Sequence, residues 1–167
     1  MKKLRWLSLA IALILILLPA SASAQSYLFS LDELRAEVFI NQDGSVSLLY
    51  EFAFTNAPEA HPIDYVDVGM PTGSFSMNGV TAQVNGIPVE VSTADYQGNG
   101  AGFAVVMGSQ SIPPGGKGRV RVFVPKIDPW LRTDSKDPNY ASLEFSPTWF
   151  GKEYVQGKTN MTITFHL

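Results

Sequence analysis

The sequence predicts an all-β protein, an antiparallel two-sheet immunoglobulin-like sandwich of about nine strands. Three observations predict this class. Apolar and polar residues alternate with a period of two in several short segments, turn signals recur about every ten residues, and no segment has the apolar face of a helix. Because local hairpins connect the alternating segments, a sandwich of antiparallel strands is favoured over a closed barrel.

The first 24 residues have the layout of a secretory signal peptide. Three basic residues lie within the first five positions, an uncharged apolar run follows to Leu18, and small residues precede Ala24. The run is short for a membrane span. We therefore expect cleavage after Ala24 and a single domain over residues 25–167, with an uncleaved membrane anchor as the alternative. The predicted location is extracytoplasmic, either secreted or at the cell surface.

Removal of residues 1–24 leaves an acidic chain. That segment holds three of the 12 Lys and Arg residues and none of the 15 Asp and Glu residues, so 9 basic against 15 acidic side chains give a net charge of −6. An acidic, unclustered balance argues against nucleic acid as a partner and offers no polybasic patch to anionic lipid. Since the chain has no cysteine, its stability must come from a hydrophobic core instead of disulfides.

The central predicted element is a hairpin over residues 34–55, preceded by a lead-in from Gln25 to Glu33 that is predicted to hold a turn at most. A type I turn closing with Gly44 in the left-handed region places Asn41 opposite Ser45. All the apolar pairs of this register fall on one face, which predicts Tyr50 and Phe52 as core residues. The pairs are Ile40 with Val46, Val38 with Leu48, Ala36 with Tyr50 and Leu34 with Phe52, and Arg35 lies opposite Glu51 on the other face.

Asn85-Gly86 between two alternating segments predicts a second hairpin, because a type I′ turn needs positive φ at both central residues. Pro88 lacks a backbone donor, which predicts a position at a sheet edge or a nitrogen that faces outward. Pairing Val84 with Ile87 puts six residues on one face: Val80, Ala82, Val84, Ile87, Val89 and Val91.

Five further segments complete the predicted strands: Ile63–Met70, Phe103–Met107, Arg119–Pro125, Tyr140–Ser146 and Met161–Leu167. The longest irregular stretch is Lys126–Asn139. The last strand ends on Leu167, at a core position and without a polar tail, which is typical of the front portion of a longer polypeptide. Membrane attachment through sequence beyond Leu167 is therefore an open expectation.

The residue types argue against catalysis. Nucleophilic hydrolysis needs a nucleophile beside a base, usually His, and the chain has two histidines and no cysteine. His61 lies in a proline-bounded loop, and His166 falls on the outward face of the last strand. A paired-carboxylate glycosidase needs two acids across a cleft, but the strand glutamates are expected on solvated faces, Glu51 with Arg35 opposite it. We predict no catalytic residue and no cofactor.

Three aspartates, Asp128, Asp134 and Asp137, share the long loop Lys126–Asn139. They are candidate calcium ligands, because Ca²⁺ takes oxygen ligands. Their spacing matches no EF-hand, and the alternative is that they solvate the loop.

Aromatic residues near the C-terminus form the most distinctive cluster. Exposed rings could stack on sugars or anchor a protein partner, and the favoured alternative is that they cap the open end of the core. The ligand-binding candidates are Trp130, Trp149 and Tyr154, on a surface built from Lys126–Asn139 and Ser146–Tyr154. Within this hypothesis we expect Trp149 to be core and Trp130 to be exposed. The full cluster is Trp130, Tyr140, Trp149, Phe150 and Tyr154.

Two segments carry a resemblance to known proteins, HPIDYVDVG over residues 61–69 and FSPTWFG over residues 145–151. They resemble the N-terminal extracytoplasmic modules of uncharacterised bacterial membrane proteins, in which a signal peptide and a β-sandwich can precede a transmembrane helix. The resemblance implies export and a sandwich, and it implies no site residues.

The sequence therefore predicts an exported, non-catalytic module for recognition or structural spacing at the bacterial cell envelope. The expected partner is an envelope protein or a glycan. The alternatives are a carbohydrate-binding domain that uses the aromatic loop residues and a small secreted carbohydrate-active enzyme. A sugar binder would show exposed coplanar rings, an enzyme would show a cleft with a perturbed carboxylate, and a spacer would show neither.

Overall fold

The computed structural model describes residues 26–128 and 130–167, so the predicted signal peptide, residues 1–24, lies outside the described residues. The described chain is all-β, as the alternation predicts, with one short 3-10 turn at Gly108–Gln110. No helix within this part of the chain is long and apolar enough to span a membrane. The strands are β1 (Phe29–Ile40), β2 (Val46–Asn56), β3 (Tyr65–Gly69), β4 (Thr81–Val84), β5 (Ile87–Ser92), β6 (Gly102–Val106), β7 (Lys117–Ile127), β8 (Arg132–Thr133), β9 (Ala141–Ser142), β10 (Val155–Gln156) and β11 (Asn160–His166).

Nine of these strands form one curled, mixed sheet in the order β10-β1-β2-β7-β4-β5-β6-β3, with β11 also paired to β1. β10 and β11 lie along the edge of β1 and run parallel to it, whereas the other pairs of this sheet are antiparallel. Parallel neighbours cannot be joined by a hairpin, and β10 and β11 reach the edge of β1 only after the intervening strands β2 to β9. The all-β class is confirmed, but the antiparallel two-sheet sandwich is not, because the sheet is mixed.

The strand β5 joins two parts of the sheet. Its first half, Ile87–Val89, pairs with β4, and its second half, Glu90–Ser92, pairs with β6. Since β6 pairs in turn with β3, the sheet continues beyond β5 through these two strands. Buried residues of β1, β2 and β7 belong to one core cluster with those of β3 and β6, so the curl encloses the core.

The first hairpin has the predicted register. Gly44 has a φ of +78°, and the Asn41 N–H donates to the carbonyl of Ser45 at 2.9 Å. All four predicted apolar pairs are present, from Ile40 opposite Val46 to Leu34 opposite Phe52. Their side chains are buried apart from that of Ile40, which is partly buried against the core.

The outer face of the same strands carries exposed ion pairs. Arg35 lies opposite Glu51, as predicted, but its ion pair at 2.8 Å is with Glu33. Glu51 pairs with Arg121 on β7 at 3.5 Å. Exposed pairs of this kind add little to stability, and they mark this face as the solvated one.

The lead-in segment differs from the prediction, because β1 begins at Phe29 instead of Leu34. The pairing of β1 with β2 shifts between Leu31 and Glu33, which is a β-bulge at Asp32. The extra residue changes the parity of the alternation, so that Phe29, Leu31 and Leu34 all reach the core. A period-two pattern cannot reveal a strand that contains such a break.

The second hairpin has the predicted turn, with φ of +51° at Asn85 and +84° at Gly86, and Val84 pairs with Ile87. The predicted burial of Ile87 is wrong, because this side chain is 48% exposed on the half of β5 that lies beyond the core. Pro88 lies opposite Gln83 on the same half, where no strand other than β4 pairs with it among the described residues. Its missing donor can therefore face outward, as expected.

The C-terminal part departs most from the prediction. Of the predicted strand Tyr140–Ser146, only the short β9 forms, and it pairs with β8 outside the main sheet. The apolar residues that follow it, Leu143 and Phe145, pack against the core as an irregular covering segment. The inward face predicted for the last strand stays half exposed, because β11 lies at the sheet edge: Met161 is 49% exposed, Ile163 37% and Phe165 48%.

Candidate functional site, an aromatic cleft

A cleft of about 570 Å³ opens between β3, the loop 96–99 and the segment 146–154. This volume lies in the range of small-ligand sites. Aromatic rings and two carboxylates are among the residues that line it. The residues that define this aromatic cleft are Tyr27, Tyr65, Tyr96, Trp149, Phe150 and Tyr154, with Asp67 and Glu153.

Thr148 anchors one wall of the aromatic cleft to the core. Its N–H donates to the Tyr50 hydroxyl at 3.1 Å, and the Gly69 N–H donates to Thr148 Oγ1 at 3.0 Å. Tyr50 is fully buried in β2, and burial raises its pKa to about 12. A tyrosine at this core position therefore fixes the cleft wall, because a phenylalanine would offer no acceptor to the loop.

Trp149 points outward because both of its neighbours point inward. Thr148 is buried, and the Phe150 ring meets the core rings of Phe29, Phe52 and Phe54 edge-on at 5.5, 6.1 and 5.7 Å. Burial thus alternates over residues 148–150. Trp149 between them is 78% exposed and lines the cleft.

Three tyrosines form the opposite wall of the aromatic cleft. Tyr27 meets Tyr65 edge-on with ring centres 5.6 Å apart. Burial raises the pKa of Tyr27 well above its usual range, with the Asp64 carboxylate adding to the effect. All three hydroxyls donate to acceptors of the protein itself: Tyr27 to Asp64 Oδ1 at 2.5 Å, Tyr65 to Gln97 Oε1 at 3.4 Å and Tyr96 to the Asn99 carbonyl at 3.2 Å.

Two glycines make room for the ring of Tyr96. A Cβ added at Gly98 would overlap with the Tyr96 ring and hydroxyl. A Cβ added at Gly102 would overlap with the same ring and would also lie 2.6 Å from the Val68 carbonyl oxygen. The position of this wall therefore depends on the absence of side chains at both residues.

Asp67 supplies negative charge to the aromatic cleft. It lies on β3, and its carboxylate oxygens accept from the Gln97 N–H at 3.2 and 3.4 Å. Burial raises the pKa of Asp67, and the hydrogen bond offsets part of this effect. Burial, followed by the nearby Asp67 charge, also raises the pKa of Tyr96. None of the described residues that line the cleft is Lys, Arg or His, so Asp67 has no cationic partner in it.

The burial of Trp130 and Trp149 is the reverse of the predicted one. Trp130 is only 6% exposed, its Nε1–H donates to the Glu144 carbonyl at 2.8 Å, and its ring packs on Phe145 at 5.5 Å. The expectation that Trp130 is exposed and Trp149 is core is wrong. Trp130 closes one end of the core, where its polar N–H finds a backbone acceptor, and its ring is not available to a ligand.

Trp149 and Tyr154, two of the three predicted ligand-binding residues, lie together in the aromatic cleft, and Tyr154 is 43% exposed. Sequence reasoning missed the opposite wall, including Tyr65 and Asp67. A signal for these two was present, because Tyr65 and Asp67 alternate with the buried Val66 and Val68 and so share the outer face of β3.

The three candidate calcium ligands are not assembled into a site. Asp128 pairs with Lys126 at 2.9 Å, whereas Asp134 accepts from the backbone of Lys136 and Asp137 and from the Ser142 hydroxyl. Within the described residues, no group of three His, Cys, Asp or Glu side chains could hold a metal ion. Asp134 and Asp137 instead accept from backbone N–H groups two or three residues further on, as in local turns, and Asp128 forms an ion pair.

No family model and no curated protein matches the chain. Among solved structures, it is similar to the M1 zinc metallopeptidase from Deinococcus radiodurans, with a TM-score of 0.43, 14% identity, and coverage of 62% of this chain and 21% of that chain. A two-domain M1 zinc metallopeptidase mutant bound to L-tryptophan is similar with a TM-score of 0.43 and 16% identity, covering 64% and 23%. The chain thus spans 21% to 23% of the lengths of these proteins. A similarity of this degree transfers no activity to the chain.

Proposed function

We propose that this chain is an exported, non-catalytic recognition module of the bacterial cell envelope that binds its ligand in the aromatic cleft. The observation that carries the proposal is Trp149, a tryptophan 78% exposed at the cleft while its two neighbours are packed inward. A ring on a fixed backbone offers contact area at little entropic cost. A structural spacer would not need an exposed tryptophan in a cleft.

The anchoring of the cleft walls supports a recognition role. Binding residues are commonly held on irregular segments that a rigid scaffold positions. Thr148 ties one wall to the fully buried Tyr50, and Gly69 on β3 donates to the same threonine. The two walls are therefore connected through one buried residue, which holds the opening between them at a defined width.

The layout of residues 1–24 supports export. N-terminal sequencing of secreted material is expected to give Gln25 as the first residue, because small residues precede Ala24. A mature chain that still begins at Met1 would identify the segment as a membrane anchor and not as a cleaved signal.

We also propose that the curled sheet acts as a two-layer, immunoglobulin-like sandwich. The support is β5, which pairs with β4 through one half and with β6 through the other, so that β3 and β6 form the start of a second layer. This layer holds Tyr65 and Asp67, and it thus positions one wall of the aromatic cleft.

A carbohydrate-active enzyme is the second candidate, because Asp67 is a carboxylate with a raised pKa in a cleft that Glu153 also lines. The two proposals differ in one assay, the release of reducing ends from soluble peptidoglycan fragments. A recognition module leaves the fragments intact. Hydrolysis by the parent protein that Asp67→Asn abolishes would identify an enzyme instead.

The test of the recognition proposal compares two exposed aromatic residues. Trp149→Ala is expected to abolish binding to soluble envelope glycan and peptide fragments with little change in the free energy of unfolding. Tyr140→Ala is the matched control, because Tyr140 is 68% exposed but does not line the cleft. Equal binding by the parent and Trp149→Ala would contradict the proposal, as would loss of binding in both variants.

A further inference from the structure

We propose that the aromatic cleft binds an organic cation of the alkylammonium class, with the rings around the cationic group and Asp67 balancing its charge. The inference rests on the proposed function, since it assigns a ligand class to the same cleft. Three properties of the walls carry it: the number of rings, the direction of the tyrosine hydroxyls, and the sign of the charge.

The walls present ring faces and edges from several directions. Tyr65 lies on β3, Tyr27 precedes β1, and Trp149 and Tyr154 lie on the segment 146–154. Aromatic faces attract a cation through their quadrupole, tryptophan most strongly, and cages of such rings are the known protein solution for quaternary ammonium groups. A site lined by rings from three separate segments fits a compact cation that several rings can contact together.

The tyrosine hydroxyls favour a cation over a sugar. The hydroxyls of Tyr27, Tyr65 and Tyr96 each donate to an acceptor of the protein. Toward a ligand, these oxygens can therefore only accept hydrogen bonds. A sugar hydroxyl can use a donor as well as an acceptor of its site, whereas an alkylammonium group uses only electron-rich surfaces. These three residues therefore contribute acceptors and π faces.

The charge of the aromatic cleft has the sign that a cation requires. Asp67 and Glu153 line it, and no basic side chain among its described lining residues neutralises them. The hydrogen bonds to Asp67 in this structure come from one backbone N–H at 3.2 and 3.4 Å. Its raised pKa reflects a carboxylate that burial has left incompletely compensated. A bound cation would supply the missing compensation.

The test titrates the protein with choline and with its uncharged carbon isostere, dimethylbutanol, and follows the amide NMR signal of Gln97. Choline is expected to bind about tenfold more tightly or better, because only the charged group gains from the quadrupoles and from Asp67. Asp67→Asn should weaken choline binding about tenfold without changing the affinity for dimethylbutanol. Trp149→Ala should weaken both, and Tyr140→Ala neither.

The outcomes separate this inference from the proposed function. Equal affinity for choline and dimethylbutanol, or binding of neither, overturns the cationic ligand, while envelope-fragment binding that depends on Trp149 would still support recognition. Vesicles of phosphatidylcholine and of phosphatidylglycerol distinguish the source of the cation. Binding to phosphatidylcholine vesicles in addition to free choline supports a lipid headgroup, and binding to choline alone supports a soluble ligand.

Discussion

Replacement of Phe52 by alanine should remove one of the central packing elements of the core. Phe52 is fully buried on β2, and its ring lies 5.4 Å from that of Tyr50, 5.9 Å from Phe54 and 6.1 Å from Phe150. Truncation of a buried phenylalanine costs about 3–5 kcal/mol, as lost transfer energy plus the cavity that remains. We expect the upper half of this range, because three aromatic contacts are lost together.

Phe123→Ala is the matched control for this experiment. Phe123 lies on the neighbouring β7, but on the outer face of the sheet, where it is 38% exposed. Its loss should cost less than about 1 kcal/mol. Both free energies of unfolding are measured by urea denaturation with an unchanged m-value as the check on two-state behaviour. A cost below about 1 kcal/mol for Phe52→Ala, or equal costs for both variants, would refute the assignment of the two sheet faces.

Three further predictions concern the turn, the cleft wall and its charge. Gly86→Val should lower the free energy of unfolding, followed by thermal melting, by about 1–3 kcal/mol, because Gly86 has a φ of +84°. An added Cβ would meet no other atom, so backbone strain alone causes the loss. An unchanged melting temperature would contradict the predicted turn. Tyr50→Phe should lower the free energy of unfolding, measured by urea denaturation, by about 1–3 kcal/mol, since the buried Thr148 N–H loses its acceptor. An unchanged free energy of unfolding would mean that this hydrogen bond does not hold the cleft wall. Burial raises the pKa of Asp67, so its contribution to stability is full below the usual aspartate pKa of about 4 and is lost as pH rises through the raised value. Asp67→Asn should therefore be more stable than the parent at neutral pH and equally stable below about pH 4, and a less stable variant at neutral pH would contradict this sign.

Both hairpins were predictable from the sequence because their determinants are local. The turn residues Gly44 and Asn85-Gly86 fix the loop geometry, and the alternation on each side then fixes the register. The first residues of β1 were not predicted as strand, because the extra residue at the Asp32 bulge reverses the parity of the alternation. The parallel pairing of β11 with β1 was not predictable, because it depends on a long crossover and not on neighbouring residues.

The candidate site shows the same division between local and non-local information. The predicted segment with Trp149 and Tyr154 lines the cleft, and its role in binding stays a prediction, whereas the predicted burial of Trp149 and Trp130 was the reverse of what the structure shows. Hydrophobicity alone does not say which ring of an irregular segment faces the core. That choice depends on distant partners, the Tyr50 hydroxyl for the neighbour of Trp149 and the Glu144 carbonyl for Trp130.

The central claim is that the aromatic cleft is the recognition surface, and amide chemical-shift mapping tests it most directly. The protein is titrated with soluble envelope glycan and peptide fragments, and every assigned amide is followed. We predict that the shifts concentrate at Gln97, Thr148 and Glu153, which line the cleft. Shifts confined to the exposed edge strand β11, or no shift at any concentration of the fragments, would contradict the claim.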